Sequence, residues 1–149
     1  MMAARITAVL AGLWAGILLG IAAVAAPSAF ATLASADAGR VVNRIFMQEA
    51  YLSLAAAIML FVIERQRSRQ IAADGAGSVF SANLVLLLGT LFCTVAGYFA
   101  VLPMMAAARA GEGSMSFATL HAISAGMFVL KGLLVLALAW RLSSAAKTS

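Results

Sequence analysis

Charge is scarce in this chain. Of its 149 residues 10% are charged, five of them acids, against roughly 25% in a soluble domain. There is one histidine, His121, one cysteine, Cys93, and two prolines, Pro27 and Pro103. A single cysteine excludes an intrachain disulfide and any paired-thiol redox motif. Its place inside an apolar run predicts a buried, inert thiol. No paired catalytic carboxylates, nucleophile triad or Gly-rich phosphate loop can be found, so soluble-enzyme chemistry has no residues to work with. Lys and Arg number ten, giving a net charge of +5. They are scattered singly or flank apolar runs, without the aromatic-interleaved basic face that nucleic acid requires.

Apolar residues are what the chain has: 64% of it is hydrophobic, with a mean hydropathy of +1.05. The reading is an all-α integral membrane four-helix bundle in one domain, 1–149, with spans at about 6–26, 46–63, 80–105 and 117–142, each near the roughly 20 residues a bilayer needs. In the first span Gly12, Gly16 and Gly20 recur every four residues. The bare stripe they make lets another helix approach closely, inside the chain or in a homo-oligomer or larger membrane complex. The start also mimics an export signal, with Arg5 before the apolar run and Ala29-Phe30-Ala31 as a cleavage site. The run exceeds the roughly 7–15 apolar residues of a signal, so a retained span is expected.

Pro27 is expected to end or kink the first span, because it lacks an N–H. An outer loop over 27–45 follows, with Ser35 as N-cap of the next helix. The uncharged run 50–63 is too short to cross alone, so the second span must draw Glu49 into the membrane. A basic, polar loop is expected from Glu64 through Arg65, Arg67 and Arg69 to Ser78. The third span carries Asn83, Thr90, Thr94, Gly97 and Tyr98 before Pro103, and Ser114 or Ser116 caps the fourth. Arg5, Arg65, Arg67, Arg69, Arg141 and Lys147 then fall on one side, and Arg40, Arg44 and Arg109 on the other. The positive-inside rule places both termini in the cytoplasm, in a bacterial-type inner membrane, with lipid as the surrounding partner.

Lys131 lies ten residues before Arg141, about 15 Å along a helix and so near the bilayer midplane. It needs a partner. Glu49 is the candidate, about 22 Å from Glu64 along its own helix, and the two are read as a buried charge pair. His121, Ser124 and Lys131 share one face of the last helix. Near the outer surface His121 is joined by Met47, Met104, Met105 and Met115, soft ligands of the kind that suit Cu(I). A haem ligated by His121 needs its second bond from Met or from another chain.

The motifs Trp14-Ala15-Gly16, Ala26-Pro27-x-x-Phe30, Ala38-Gly39-Arg40 with Phe46, and His121-x-x-Ser124 resemble the transmembrane protein 205-like family, also catalogued as domain of unknown function 4149. The resemblance implies a small four-helix membrane protein of unestablished activity, with a fold akin to copper-resistance membrane proteins. It also implies an outer-side site formed by Pro27, Phe30, Gly39, Arg40, His121 and Ser124; Glu49 and Lys131 are outside that pattern. The expected function is non-enzymatic, either an accessory subunit or a handler of a metal ion or other small solute. The alternative is a haem- or metal-dependent membrane redox protein using His121.

Overall fold

A computed structural model describes residues 2–147 and has no strand among them. Within the described residues, four helices are long and apolar enough to cross a membrane: α1 (Ala4–Thr32), α2 (Ser35–Ala73), α3 (Ala82–Arg109) and α4 (Phe117–Ala146). Each helix packs on the next in chain order, and α4 closes the ring on α1. The result is an up-down-up-down bundle, the arrangement that short connections favour. One end holds the links 33–34 and 110–116. The other holds the link 74–81, the start of α1 and the end of α4.

Interior positions recur in steps of three and four, as they do along the seam of a left-handed bundle. α1 turns Thr7, Ala11, Trp14, Leu18 and Ile21 inward, and α4 turns Lys131, Val135, Leu138 and Leu142. The inner face of α2 reads Glu49, Ser53, Ala57, Leu60, Glu64, Ser68. The main core joins Trp14, Leu18, Leu60, Leu87, Val135 and Leu138 in the half of the bundle nearer the termini. In the other half a smaller cluster holds Val101, Met105 and Leu120, and α4 has no buried residue between His121 and Leu130. One half is therefore packed and the other hollow. Outside, Val9, Leu13, Val85, Phe92 and Leu133 are exposed. Only 17% to 33% of each helix's most apolar window is buried within the chain. That much apolar surface is stable only in hydrocarbon, and helices satisfy their own backbone groups there. The chain is a multi-pass membrane protein.

Several boundaries differ from the sequence reading. α1 does not end at Pro27: it passes through a π-helical stretch, Ile21–Ala25, and continues as α-helix over Ala26–Thr32. The same device recurs in α3, where the π-helical stretch Val95–Val101 precedes Pro103. A proline ring collides with the carbonyl four residues back and offers no N–H. In both helices that carbonyl, of Ala23 or Phe99, lies inside the widened turn, which absorbs the fault without a break. The loop expected over 27–45 shrinks to 33–34, and α2 starts at Ser35 with Ala34 as its N-cap and no side-chain cap bond. Ser35 is thus the first helical residue and not the cap. The polar loop expected from Glu64 begins only at Asp74, because α2 continues to Ala73. The side chain of Lys147, counted above among the orienting charges, lies outside the described ones.

Local signals explain the other ends. α2 and α3 stop at glycines with positive φ, Gly75 at 72° and Gly111 at 79°. In each case the next N–H reaches back to a carbonyl five residues earlier, Ala76 to Ile71 and Glu112 to Ala107, the Schellman closure that favours glycine. Ser116 Oγ accepts from Thr119 N at 3.1 Å at the start of α4, and Ser81 Oγ accepts from Leu84 N at 3.4 Å at the start of α3. Ser81→Ala should cost about 1 kcal/mol through that lost cap, read as a lowered unfolding midpoint in detergent with unchanged helicity.

The glycine stripe is left uncovered by the described residues. A Cβ placed on Gly12, Gly16 or Gly20 would meet nothing within 4 Å, because α1 faces the bundle with Trp14 and Leu18. Of the two uses open to it, packing on another helix of this chain is not what the structure shows.

Candidate functional site

Lys131 enters the bundle where packing gives way to space. Its Nζ donates to Glu49 Oε1 at 2.7 Å and Oε2 at 2.8 Å, with side chains only 5% and 2% exposed. Ser53, one helical turn beyond Glu49, donates to Oε1, and Trp14 Nε1 donates to Ser53 Oγ at 2.9 Å. The chain of donors Trp14, Ser53 and Lys131 around one carboxylate ties α1, α2 and α4 together. The ammonium also lies 5.0 Å from the centroid of Phe128, whose ring meets Phe46 edge-on. A charge at this depth is tolerated only when neutralised and hydrogen-bonded, and both conditions hold here.

Beyond the pair, a cavity of about 980 Å³ opens between all four helices toward the 33–34 and 110–116 links. Glu49 and Lys131 sit at its base. The six outer-side motif residues, Pro27, Phe30, Gly39, Arg40, His121 and Ser124, all line it, as do Cys93 and Tyr98. Near its mouth Arg40 pairs with Asp37 one turn earlier. The Arg109 guanidinium lies 4.4 Å from the centroid of Phe117, and His121 stacks on the same ring at 5.9 Å. Among the described residues Arg109 makes no ion pair. The walls are mostly apolar, so an anionic group would meet a cationic rim and an apolar body would fill the space behind it.

The methionines are not gathered in one place. Met105 lines the cavity and packs with Val101 and Leu120, whereas its neighbour Met104 faces outward, 45% exposed, and Met115 lies in the loop. Met47 Sδ accepts from Arg44 at 4.0 Å. No group of three or more His, Cys, Asp or Glu suited to a metal ion occurs among the described residues.

Trp14, Ser53 and Arg109 were not singled out from sequence as parts of this site. Ser53 carried a signal, since it follows Glu49 by four residues on the same face. Trp14 carried a weaker one: an indole N–H inside an apolar span must find an acceptor. The approach of Arg109 to Phe117 depends on how the 110–116 link folds, and no spacing rule encodes that.

No curated protein and no solved structure matches the chain. Residues 9–114, α1 through α3 and the turn after them, match the family described as Domain of unknown function (DUF4149), so His121, Ser124 and Lys131 lie beyond the matched segment. That match covers most of the chain, which therefore belongs to this family of unknown function.

Proposed function

We propose that this protein is a non-enzymatic binder of a small amphipathic anion, held in the cavity with its charged group toward Arg40 and Arg109 and its apolar body toward the Glu49–Lys131 base. The observation that carries the reading is the cavity itself. Its volume of about 980 Å³ lies at the upper end of small-molecule sites, roughly 300–1,000 Å³. Apolar walls combine there with two guanidiniums at the rim, Arg40 already paired with Asp37 and Arg109 in no ion pair among the described residues, while the deeper charges neutralise each other. In this reading the Arg5, Arg65, Arg67, Arg69 and Arg141 end is cytoplasmic. Both termini lie there, in a bacterial-type inner membrane, and the cavity opens outward.

The test uses purified protein in detergent and two fluorescent probes, 11-(dansylamino)undecanoic acid and its uncharged methyl ester. The acid should bind saturably and about tenfold more tightly than the ester, a difference of roughly 1.4 kcal/mol, and Arg109→Ala should remove that preference. Ser124→Trp, which places an indole in the cavity wall, should block both probes without lowering the unfolding midpoint. Saturable binding that survives Ser124→Trp unchanged would overturn the proposal. A Soret band in the purified protein, lost in His121→Ala, would replace it with the haem-dependent redox reading.

A further inference from the structure

The opposite end of the bundle holds a second cleft, of about 470 Å³. Its chemistry is set by Glu64, which the inner face of α2 turns inward until it is 3% exposed. Oε2 accepts from Asn83 Nδ2 at 2.9 Å, and Asn83 Oδ1 accepts from Arg141 Nε at 2.8 Å. Those bonds join α2, α3 and α4. Oε1 is different: it is buried and accepts no hydrogen bond. Its ion-pair partner, Arg67 Nη1, stands 3.8 Å away, beyond hydrogen-bond distance. A buried carboxylate oxygen without a donor is costly, and such atoms are rare in folded proteins.

The cleft bordering Glu64 also presents Arg67 and Arg141, the hydroxyls of Ser68 and Ser144, and the exposed indole of Trp140. One undersupplied anion therefore sits beside two guanidiniums. An anionic ligand alone would leave Oε1 without a donor, and a simple cation would be repelled by the arginines. A ligand carrying an ammonium and a phosphate a few ångströms apart satisfies both. The position suits a lipid headgroup, since Glu64 directly follows the uncharged run 50–63 and so lies at the edge of the hydrocarbon, where an exposed Trp is also at home.

We propose that this cleft binds a primary-ammonium phosphate ester, the headgroup chemistry of an ethanolamine phospholipid, with the ammonium on Glu64 Oε1 and the phosphate between Arg67 and Arg141. A choline headgroup bears the same charges but has no N–H to give, and a glycerol headgroup has no cation. This separates the site from general attraction of basic residues to anionic lipid.

The full chain is reconstituted with acyl-matched phosphatidylethanolamine, phosphatidylcholine and phosphatidylglycerol at equal mole fraction, and retained lipid is counted by native mass spectrometry. Wild type should retain the ethanolamine lipid over each of the others by about tenfold, the range expected when a buried acceptor is left unmet. Glu64→Gln still offers Asn83 an acceptor and should fold; in it, ethanolamine and choline lipids should be retained equally. Equal retention of ethanolamine and choline lipids by the wild type overturns the proposal without reference to any variant, and so does equal retention of the glycerol lipid. Given the ethanolamine preference, displacement by millimolar O-phosphoethanolamine identifies the headgroup alone as sufficient, and resistance to it identifies the intact lipid as the ligand.

Discussion

Lys131→Met is expected to destabilise the bundle by about 3–5 kcal/mol, the cost of removing one partner of a buried ion pair. The loss does not come from the lysine's own contacts. It comes from Glu49, left as a carboxylate 4% exposed in a hydrocarbon-embedded interior, with one hydroxyl donor, Ser53, in place of a hydroxyl and an ammonium. The sign is therefore diagnostic. Glu49→Gln in the same chain removes the stranded charge while keeping an acceptor for Ser53, so the double variant should recover most of the lost stability. A coupling energy of about 2–3 kcal/mol is expected, at the upper end for residues in direct contact. Unfolding in mixed micelles across the four-member cycle measures it. Additive losses would show that the two side chains act independently.

Trp14→Ala is expected to cost about 3 kcal/mol, near the low end of large-to-small substitutions in cores. The low end applies because lipid is as apolar as the interior, so helices in a membrane gain little from burial as such. What is lost is contact between close-packed atoms around the indole, together with the donor to Ser53. Trp14→Phe isolates that hydrogen bond and should cost about 1 kcal/mol. The same measurement on Ser124→Trp, a larger side chain put into the hollow half, should give almost no change. The contrast between the two halves of one bundle is a sharper result than either number, because uniform packing would make both substitutions destabilising.

The four spans could be read from the sequence because hydrocarbon leaves few choices: long uncharged runs must be helices, and Glu49 had to enter the membrane for the second span to reach across. The caps at Ser81 and Ser116 and the stops at Gly75 and Gly111 follow local rules of the same kind. The passage of α1 through Pro27 was not legible, because proline states a fault and not its remedy; the π-helical turns at Ile21–Ala25 and Val95–Val101 depend on neighbouring helices leaving room. The interior face of α2 was half legible. Glu49 was read as entering the membrane, but the stepping that starts with it continues through Ser53, Ala57 and Leu60 to Glu64, which was read as the start of a loop because of the arginines that follow it. Long-range partners such as Asn83 and Arg141 for Glu64, or Trp14 for Ser53, belong to the packing of the ring and have no local signature. The glycine stripe left two uses open, and spacing alone could not choose between them; among the described residues nothing lies within 4 Å of a Cβ placed on Gly12, Gly16 or Gly20.

The central claim is that a water-accessible cavity lies inside the membrane on the side of Pro27 and His121, closed at its base by Glu49 and Lys131. Thiol accessibility tests it most directly. With Cys93 replaced by serine, Ser124→Cys and Leu133→Cys are compared in intact membrane vesicles, using a small, charged, membrane-impermeant thiol reagent added to each face in turn. Ser124→Cys lines the cavity and should react rapidly from the face that carries the 110–116 link and from that face alone, while Leu133→Cys, which faces lipid, should stay unmodified. Equal protection of the two thiols, or reaction of Ser124→Cys only from the face that carries Arg65 and Arg141, would contradict it.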